Sequence, residues 1–331
     1  MKNIYVFGEC MIELREDKPL NSSQFTDSQM NASQENSSSS TTLKQSFAGD
    51  VLNTAVYLKR TFPEFNAHFV SALGKDKFST DMLNFFNQEK IGSELVFQSE
   101  TKVPGIYAIE TDDTGERTFN YWRENSAAKD IMSFIEPSTI DQLAKGDLFF
   151  FSGISLAVIK KTDRPLFWTM VEKIKQAGVK VVFDPNYRAR MWDSLEQAKE
   201  QFEKAFSLAD VALPGVDDFQ QLYGIETSQG VYDFCQQYNL SELVIKNGEA
   251  GILCYADDQA YHFNIIPVTG VVDTTSAGDS FNGVYLGARE NGLNISHAVE
   301  LASKAAGFVI QHHGAIVDKN AFQQFIAQQI H

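Results

Sequence analysis

Two aspartates flank a run of small residues near the C-terminus, in the stretch Asp273-Thr-Thr-Ser-Ala-Gly-Asp279. Small residues let a backbone approach a ligand closely, and an apolar helical segment follows directly. A helix that begins here would aim unpaired N–H groups and a partial positive charge at an anion. A carboxylate beside a bound phosphate suits removal of a proton from an attacking hydroxyl. We therefore interpret Ser276, Ala277 and Gly278 as an anion site for a transferring phosphoryl group, and Asp279 as its general base.

The same residues also have a purely structural interpretation. Ser276 and Asp279 have the spacing of a capping box, in which both side chains satisfy backbone N–H groups at the start of a helix. The local sequence does not decide between these alternatives. Neither a P-loop nor a Gly-x-Gly-x-x-Gly turn after a strand occurs in the chain, so nucleotide binding would have to depend on the helix N-terminus instead.

A second motif, Phe47-Ala-Gly-Asp-Val-Leu-Asn53, lies far away in the sequence. Gly49 allows a close backbone approach, while Asp50 and Asn53 are one helical turn apart and can face the same ligand. We interpret these three residues as part of one ligand site. The structural alternative is that Asp50 caps the helix that follows.

Both stretches resemble motifs of the ribokinase-like (PfkB) carbohydrate kinases, and the resemblance extends from Met1 to about His313. It implies that the second stretch is the sugar motif, in which Gly49, Asp50 and Asn53 bind the sugar. Residues 8–14, 115–123 and 184–192 look most like the 2-keto-3-deoxygluconate kinases of that family. The resemblance implies transfer of the ATP γ-phosphate to a terminal hydroxyl of 2-keto-3-deoxygluconate, with Mg²⁺ bridging the phosphates. The alternatives are another PfkB kinase that acts on a neutral ketose, such as a fructokinase, and a sugar-binding sensor without catalysis.

The resemblance also assigns substrate contacts outside the two motifs. These are Tyr107, Tyr121, Arg123 and Arg188. A planar guanidinium can hold a carboxylate through two parallel hydrogen bonds, which a neutral hexose would not require. The two arginines would therefore separate a sugar-acid kinase from a fructokinase.

The nucleotide and metal ligands are likewise inferred from the resemblance. Residues matched to nucleotide binding are Gly215, Lys246, Gly248, Gly251 and Ser303. Asp273 and Thr275 match ligands of a monovalent cation such as K⁺, although polar turn residues that cap the loop are the alternative. The family often has Asn-x-x-Glu near magnesium, whereas this chain has Gly215-Val-Asp-Asp218, so we expect Asp218 to reach Mg²⁺ through water.

Short apolar runs alternate with helix-length amphipathic segments, which predicts an α/β fold with a mainly parallel central sheet flanked by helices. The predicted core strands are Ile4–Phe7, His68–Leu73, Asp147–Ser152, Lys180–Asp184, Val211–Leu213 and Leu243–Lys246. The predicted helices are Asp50–Arg60, Phe78–Gln88, Arg164–Lys175, Leu195–Phe206 and Ala277–Arg289. Ligands of such sheets gather at the carboxyl ends of the strands, where both motifs fall.

A small second sheet is predicted beside the main one. Residues 103–111 and 116–121 alternate like antiparallel strands around a turn at 112–115. By the resemblance, segments at about 10–17, 44–48 and 102–123 form a β-sheet lid over the sugar, within a single kinase domain that spans residues 1–331. Residues 18–43 are rich in Ser, Asn, Gln and Thr, which predicts a flexible insertion in the lid.

The composition is that of a globular protein, with 43% hydrophobic residues among 331. A net charge of −15 and no cluster of Lys and Arg argue against nucleic acid as a partner. Three scattered cysteines suggest neither disulfides nor zinc. The N-terminus is typical of a strand and no apolar run reaches membrane-spanning length, so we expect a cytoplasmic protein, with homo-oligomerisation left open.

Overall fold

The computed structural model describes residues 1–16, 42–111, 117–257 and 259–329. In chain order, the strands are β1 (Asn3–Phe7), β2 (Met11–Glu16), β3 (Leu43–Ala48), β4 (Asn66–Leu73), β5 (Gly92–Gln98), β6 (Gly105–Thr111), β7 (Arg117–Trp122), β8 (Leu148–Ser152), β9 (Lys180–Asp184), β10 (Val211–Ala212), β11 (Glu242–Lys246), β12 (Ile252–Ala256) and β13 (Gln259–Phe263). The α-helices are α1 (Asp50–Thr61), α2 (Lys77–Glu89), α3 (Pro137–Leu143), α4 (Gly153–Val158), α5 (Arg164–Gln176), α6 (Leu195–Leu208), α7 (Val216–Tyr223), α8 (Ser228–Cys235), α9 (Ala277–Glu290), α10 (Ile295–Val309) and α11 (Lys319–Ala327).

Nine strands of the described ranges form the main sheet, in the order β13-β12-β11-β10-β9-β8-β1-β4-β5. Pairing is parallel from β11 to β5, which confirms the predicted α/β fold and all six predicted core strands. The strands β12 and β13 add an antiparallel edge that the sequence analysis did not identify. Most of β13 is exposed or only half-buried, so it lacks the continuous apolar run that marks the central strands.

Helices cover both faces of this sheet, and successive residues of β1 show why. Ile4 and Val6 pack into the core that includes α1, α9 and α10. Tyr5 and Phe7 pack into the opposite core, which includes α5 and α6. Because side chains alternate across a strand, a fully apolar strand is buried on both sides. All five predicted helices are present, with ends that differ by at most two residues.

A four-stranded sheet, β3-β2-β6-β7, lies beside the main sheet and contains the strands predicted for the lid. We call this sheet the lid. The strand β2 pairs antiparallel with β3 and parallel with β6, and β6 pairs antiparallel with β7. The predicted hairpin turn at 112–115 lies outside the described residues. Most of the predicted insertion at 18–43 does too, but Leu43 is the first residue of β3, so the prediction extended the insertion into a strand.

Two structural findings concern membrane-spanning helices and the pairing of cysteines. Among the described helices, none combines the length and apolar character needed to cross a membrane. The three cysteines, Cys10, Cys235 and Cys254, are buried and unpaired, which confirms the prediction that they form no disulfide.

Candidate active site

A cleft of about 1780 Å³ lies at the carboxyl ends of the main-sheet strands and reaches under the lid. It exceeds the range of about 300–1,000 Å³ that is common for one small ligand, so two ligands can fit side by side. Most of the residues predicted for the site line this cleft: Gly49, Asp50, Asn53, Tyr107, Tyr121, Arg123, Arg188, Gly215, Asp218, Lys246, Gly248, Thr275, Ser276, Ala277, Gly278, Asp279 and Ser303. Asp273 and Gly251 are not part of its wall.

The helix α9 begins at the cleft without the capping box that its sequence allows. Ser276 has a φ of 65°, which is left-handed backbone, whereas an N-cap residue is normally extended. Its side chain makes no capping hydrogen bond, and its Oγ is buried without a partner among the described residues. The structural alternative for Ser276 and Asp279 is therefore wrong, and the Ser276 hydroxyl is available to a ligand.

The first N–H groups of α9 meet the cleft where the anion site was predicted. A helix leaves these groups without intrahelical partners. The N–H of Ala277 donates to the Thr274 carbonyl at 3.2 Å, so it is already engaged. Gly278 lines the cleft, and a Cβ built on it would lie 3.9 Å from Lys246 Nζ. A backbone donor and an ammonium group thus lie close together, which favours a bound phosphate.

Asp279 lies in the first turn of α9 and faces the second motif. Its Oδ2 accepts a hydrogen bond from Asn53 Nδ2 at 2.8 Å, so the two motifs contact each other directly. Burial, followed by the negative charges of Asp50 and Asp184, raises the pKa of Asp279 to about 7, although the Asn53 hydrogen bond and Arg188 oppose this. A carboxylate with a pKa near neutrality is better suited to accept a proton than an ordinary aspartate.

Asp50 is the first residue of α1 and not its cap. Gly49 occupies the N-cap position with a φ of 144°, and a Cβ there would lie 2.6 Å from the Glu9 carbonyl oxygen. The N-cap alternative for Asp50 is therefore wrong. Its Oδ2 accepts a hydrogen bond from Asn186 Nδ2 at 3.2 Å, and burial raises its pKa. Both aspartates are thus directed into one site.

Lys246 is held at the end of β11 by a polar network. Its Nζ donates to Asn282 Oδ1 at 3.0 Å and to Asp184 Oδ1 at 3.4 Å. Asn282 Nδ2 also donates to Asp184 Oδ2 at 2.8 Å. These contacts place the ammonium group near the start of α9, close to Gly278. The network joins three elements, β9, β11 and α9.

Aromatic side chains form the lid side of the cleft. The rings of Tyr107 and Tyr121 stack with centroids 5.6 Å apart, and the guanidinium carbon of Arg190 lies 3.8 Å from the Tyr121 ring centroid. The Tyr107 hydroxyl donates to buried Glu13, which also accepts from Ser46 Oγ at 2.8 Å. The lid thus offers a flat surface that suits the apolar face of a sugar.

The two predicted arginines lie in different surroundings. Arg123 follows β7 and forms an ion pair with the buried carboxylate of Glu9. Arg188 is exposed and donates to the Tyr187 carbonyl at 2.8 Å. Among the residues that the structure describes, no carboxylate lies within 4.0 Å of the Arg188 guanidinium.

The predicted nucleotide residues are divided between the cleft and its support. Residues 247–251 connect β11 to β12, as the hairpin alternative for Asn247 predicts. Gly251 has a φ of 108°, and a Cβ there would lie 2.4 Å from the Phe263 carbonyl oxygen, so it packs against β13. Ser303 on α10 lines the cleft, and its Oγ is buried without a partner in the described ranges.

The predicted cation ligands already serve as turn and cap residues. The Asp273 carboxylate accepts from the N–H groups of Thr275 at 2.9 Å and Gly314 at 2.8 Å, as the polar-turn alternative expects. Asp218 accepts from the N–H groups of Tyr187 at 2.8 Å and Gly215 at 3.3 Å. Burial, with Asp184 next in effect, raises the Asp218 pKa to about 6. No cluster of at least three His, Cys, Asp or Glu residues suited to a metal occurs in the described part of the chain.

Among the cleft residues that the sequence analysis did not assign, three are polar and lie at or just after the ends of β1 and β9: Glu9, Asp184 and Asn186. Each follows or ends a parallel strand, since Glu9 comes just after β1 and the other two lie at the end of β9. A polar residue at the carboxyl end of an apolar strand is a usable signal, because ligands of such sheets bind there.

Comparisons with known proteins agree with this geometry. The family model "pfkB family carbohydrate kinase" matches residues 1–321. A 2-dehydro-3-deoxygluconokinase from Haemophilus influenzae is 36% identical over 327 residues, which cover 97% of each chain. A fructokinase from Salmonella typhimurium is 28% identical over 230 residues, or 69% of this chain and 73% of its own. The solved structure of 2-dehydro-3-deoxygluconokinase from Thermotoga maritima has a TM-score of 0.79 and 20% identity, and the match covers 98% of both chains.

Proposed function

This chain belongs to the pfkB family of carbohydrate kinases, and we propose that it transfers the γ-phosphate of ATP to the terminal hydroxyl of 2-dehydro-3-deoxygluconate (2-keto-3-deoxygluconate). The observation that carries this function is the contact between the two motifs. Asn53 of the sugar motif donates to Asp279, which directly follows Gly278 at the start of α9. A proton acceptor and an anion site therefore meet at one end of the cleft.

In this mechanism, Asp279 accepts the proton of the sugar hydroxyl while that oxygen attacks the γ-phosphorus, and the bond from this phosphorus to the bridging oxygen breaks so that ADP leaves. The start of α9 and Lys246 stabilise the charge on the transferring phosphoryl group. Mg²⁺, when bound with ATP, supplies positive charge to the phosphate oxygens, and Asp218 would reach it through water because both of its oxygens accept N–H bonds. A sensor without catalysis would not need the raised pKa of Asp279.

The sugar-acid substrate is favoured over a neutral ketose by the arginines of the cleft. Arg188 and Arg190 line it and are exposed, and Arg123 also lines it and adds guanidinium N–H donors. The relatives with the fructokinase name match a shorter part of the chain at lower identity. A cytoplasmic location and a K⁺ site at Asp273 and Thr275 stay predictions, as does the possibility of a homo-oligomer.

A substrate panel in a coupled ADP-release assay tests the function. With ATP and Mg²⁺, we expect turnover of 2-keto-3-deoxygluconate to exceed that of its galactonate epimer, gluconate, fructose and ribose. The physical reason is that fructose and ribose have no carboxylate for the arginines, whereas gluconate and the galactonate epimer have one but carry their other oxygen groups in a different arrangement. Turnover of fructose alone would contradict the substrate but keep the kinase, and no turnover of any compound would favour a sensor.

The pH dependence of kcat/KM tests the role of Asp279. Because the base must be deprotonated and its pKa lies at about 7, activity should be lost as the pH falls. We expect kcat/KM to fall about tenfold per pH unit below that value and to be level above it until another group titrates. Initial rates between pH 5 and 9 measure the profile. A profile that stays level down to pH 5 would show that Asp279 is not the group whose ionisation limits the rate.

A further inference from the structure

Glu9 is a buried carboxylate in the wall of the cleft that the mechanism above does not use. It follows β1, its residue exposure is 2%, and its Oε2 accepts from Arg123 Nη2. Its other oxygen, Oε1, is also buried and has no hydrogen-bond partner among the described residues. A buried carboxylate oxygen without a donor is costly, so this oxygen calls for a donor that a ligand can bring.

The ion pair with Glu9 changes what Arg123 can do. The Arg123 side chain is only 11% exposed, and the negative charge of Glu9 offsets its positive charge. Its Nε is buried without a partner in the described ranges, and its Nη1 lies 3.6 Å from Met191 Sδ. Arg123 therefore offers directed N–H donors, held in a fixed plane, but little net charge.

Arg188 has the opposite character. It is exposed to the cleft, and no carboxylate of the described residues pairs with it. Its positive charge also lowers the pKa of Asp279 and of Asp218, so its field reaches the reacting end of the cleft. Arg188 is thus a cation of the cleft whose charge no carboxylate in the described ranges offsets; Arg190 also lines the cleft, but its guanidinium carbon lies 3.8 Å from the Tyr121 ring centroid.

We propose that Glu9 is a substrate-binding residue that determines specificity: Oε2 fixes and neutralises Arg123, Oε1 accepts a hydrogen bond from a substrate hydroxyl, and Arg188 supplies the charge that attracts the substrate carboxylate. This proposal rests on the proposed function, because it assumes a hydroxylated sugar acid. Two groups thereby recognise a sugar acid: Arg188 attracts its carboxylate, and Glu9 Oε1 binds its hydroxyl. An anion that lacks the hydroxyl leaves Oε1 unsatisfied and is rejected.

A double-mutant cycle tests the link between Glu9 and Arg123. We expect Glu9→Gln to raise the KM for 2-keto-3-deoxygluconate about tenfold while kcat changes little, because a neutral amide replaces the charged acceptor and weakens the hydrogen bond in both ground and transition states. Arg123→Met should raise KM further, since it leaves Glu9 unpaired beside the substrate carboxylate. Glu9→Gln combined with Arg123→Met should be no worse than Arg123→Met alone.

Glu242→Gln is the matched control, because Glu242 is also a buried carboxylate paired with an arginine, Arg289, but lies away from the cleft. It should leave KM unchanged. A Glu9→Gln enzyme with wild-type KM would overturn the proposal, as would a double variant whose loss equals the product of the two single losses. If the wild-type enzyme does not phosphorylate the keto-deoxy acid at all, the proposed function fails instead.

Ionic strength provides a second measurement that does not require a Glu9 variant to fold. If Arg188 supplies the net charge, the KM of the wild-type enzyme for the sugar acid should rise with ionic strength at a fixed K⁺ concentration. Arg188→Ala should raise KM more than tenfold and remove most of this salt dependence. Arg123→Met should keep the salt dependence. Loss of the salt dependence in Arg123→Met instead would assign the net charge to Arg123 and overturn the proposal.

Discussion

Replacing Asp279 by Asn should lower kcat by about 10²-fold or more while the protein stays folded. The amide keeps the shape of the side chain and can still contact Asn53, but it cannot take the proton of the attacking hydroxyl. The KM for the sugar should change much less than kcat, because the proton transfer belongs to the transition state. Steady-state rates and substrate binding measured without turnover separate these two quantities. Near wild-type turnover would show that Asp279 is not the base.

The pH dependence of thermal stability provides a control for the Asp279→Asn variant. Burial raises the pKa of Asp279 above its value in the unfolded chain, so the folded state binds this proton more tightly. The stabilising effect of protonation is present at low pH and is lost as the pH rises through about 7. Asp279→Asn removes this loss, so its thermal midpoint relative to the wild type should be higher at pH 8 than at pH 5. A folded, stable and inactive variant would then exclude unfolding as the cause.

The main sheet and the site motifs were predictable because their signals are local. The central strands are continuous apolar runs, such as Leu148–Ser152, that lie between amphipathic segments. Asp50 and Asn53 are close in sequence, and so are Ser276 and Asp279. Each pair therefore carries its spacing in the sequence itself. The same locality left the capping-box alternative open until the backbone of Ser276 was known.

The contacts that set the side-chain positions and pKa values of the site could not be predicted from one sequence. Glu9 and Arg123 are separated by 114 residues, and Asp184 and Asn282 by 98. Neither pair has a local pattern, because both depend on how the strand ends and the lid meet in three dimensions. The pKa of Asp279 has the same origin, since burial and the charges of Asp50 and Asp184 come from other elements. Residue types and their positions therefore predicted the general base and the anion site, whereas the pKa of the base depends on contacts that only the three-dimensional fold creates.

Gly283 determines how closely α9 packs against α1, and this distance affects catalysis. Gly283 on α9 faces α1, and a Cβ built on it would lie 2.3 Å from the Thr54 carbonyl oxygen and 2.9 Å from the Leu58 backbone nitrogen. Both are backbone atoms, so a side chain there cannot be accommodated by a change of rotamer. The absence of a side chain lets α1 and α9 approach closely enough for Asn53 to reach Asp279 at 2.8 Å.

Gly283→Ala should therefore lower both stability and kcat. We expect a loss of about 1–3 kcal/mol or more in the free energy of unfolding, because overpacking between two backbones must push the helices apart. The better helix propensity of Ala, about 1 kcal/mol, offsets only part of this loss. A shift of Asp279 relative to the sugar should lower kcat by about tenfold to 100-fold. Thermal unfolding and steady-state kinetics on the same preparation measure both effects.

Gly287→Ala on the same helix separates the two effects. Its Cβ would lie 2.3 Å from the ring of Phe62, which is a side-chain contact, and Gly287 itself lies about two helical turns beyond Asp279. It should destabilise the fold through the same kind of overpacking while leaving kcat close to that of the wild type. Equal losses of kcat in both variants would mean that general destabilisation, and not the distance between Asn53 and Asp279, limits the rate. A loss confined to Gly283→Ala would show that the close approach of α1 and α9 positions the base.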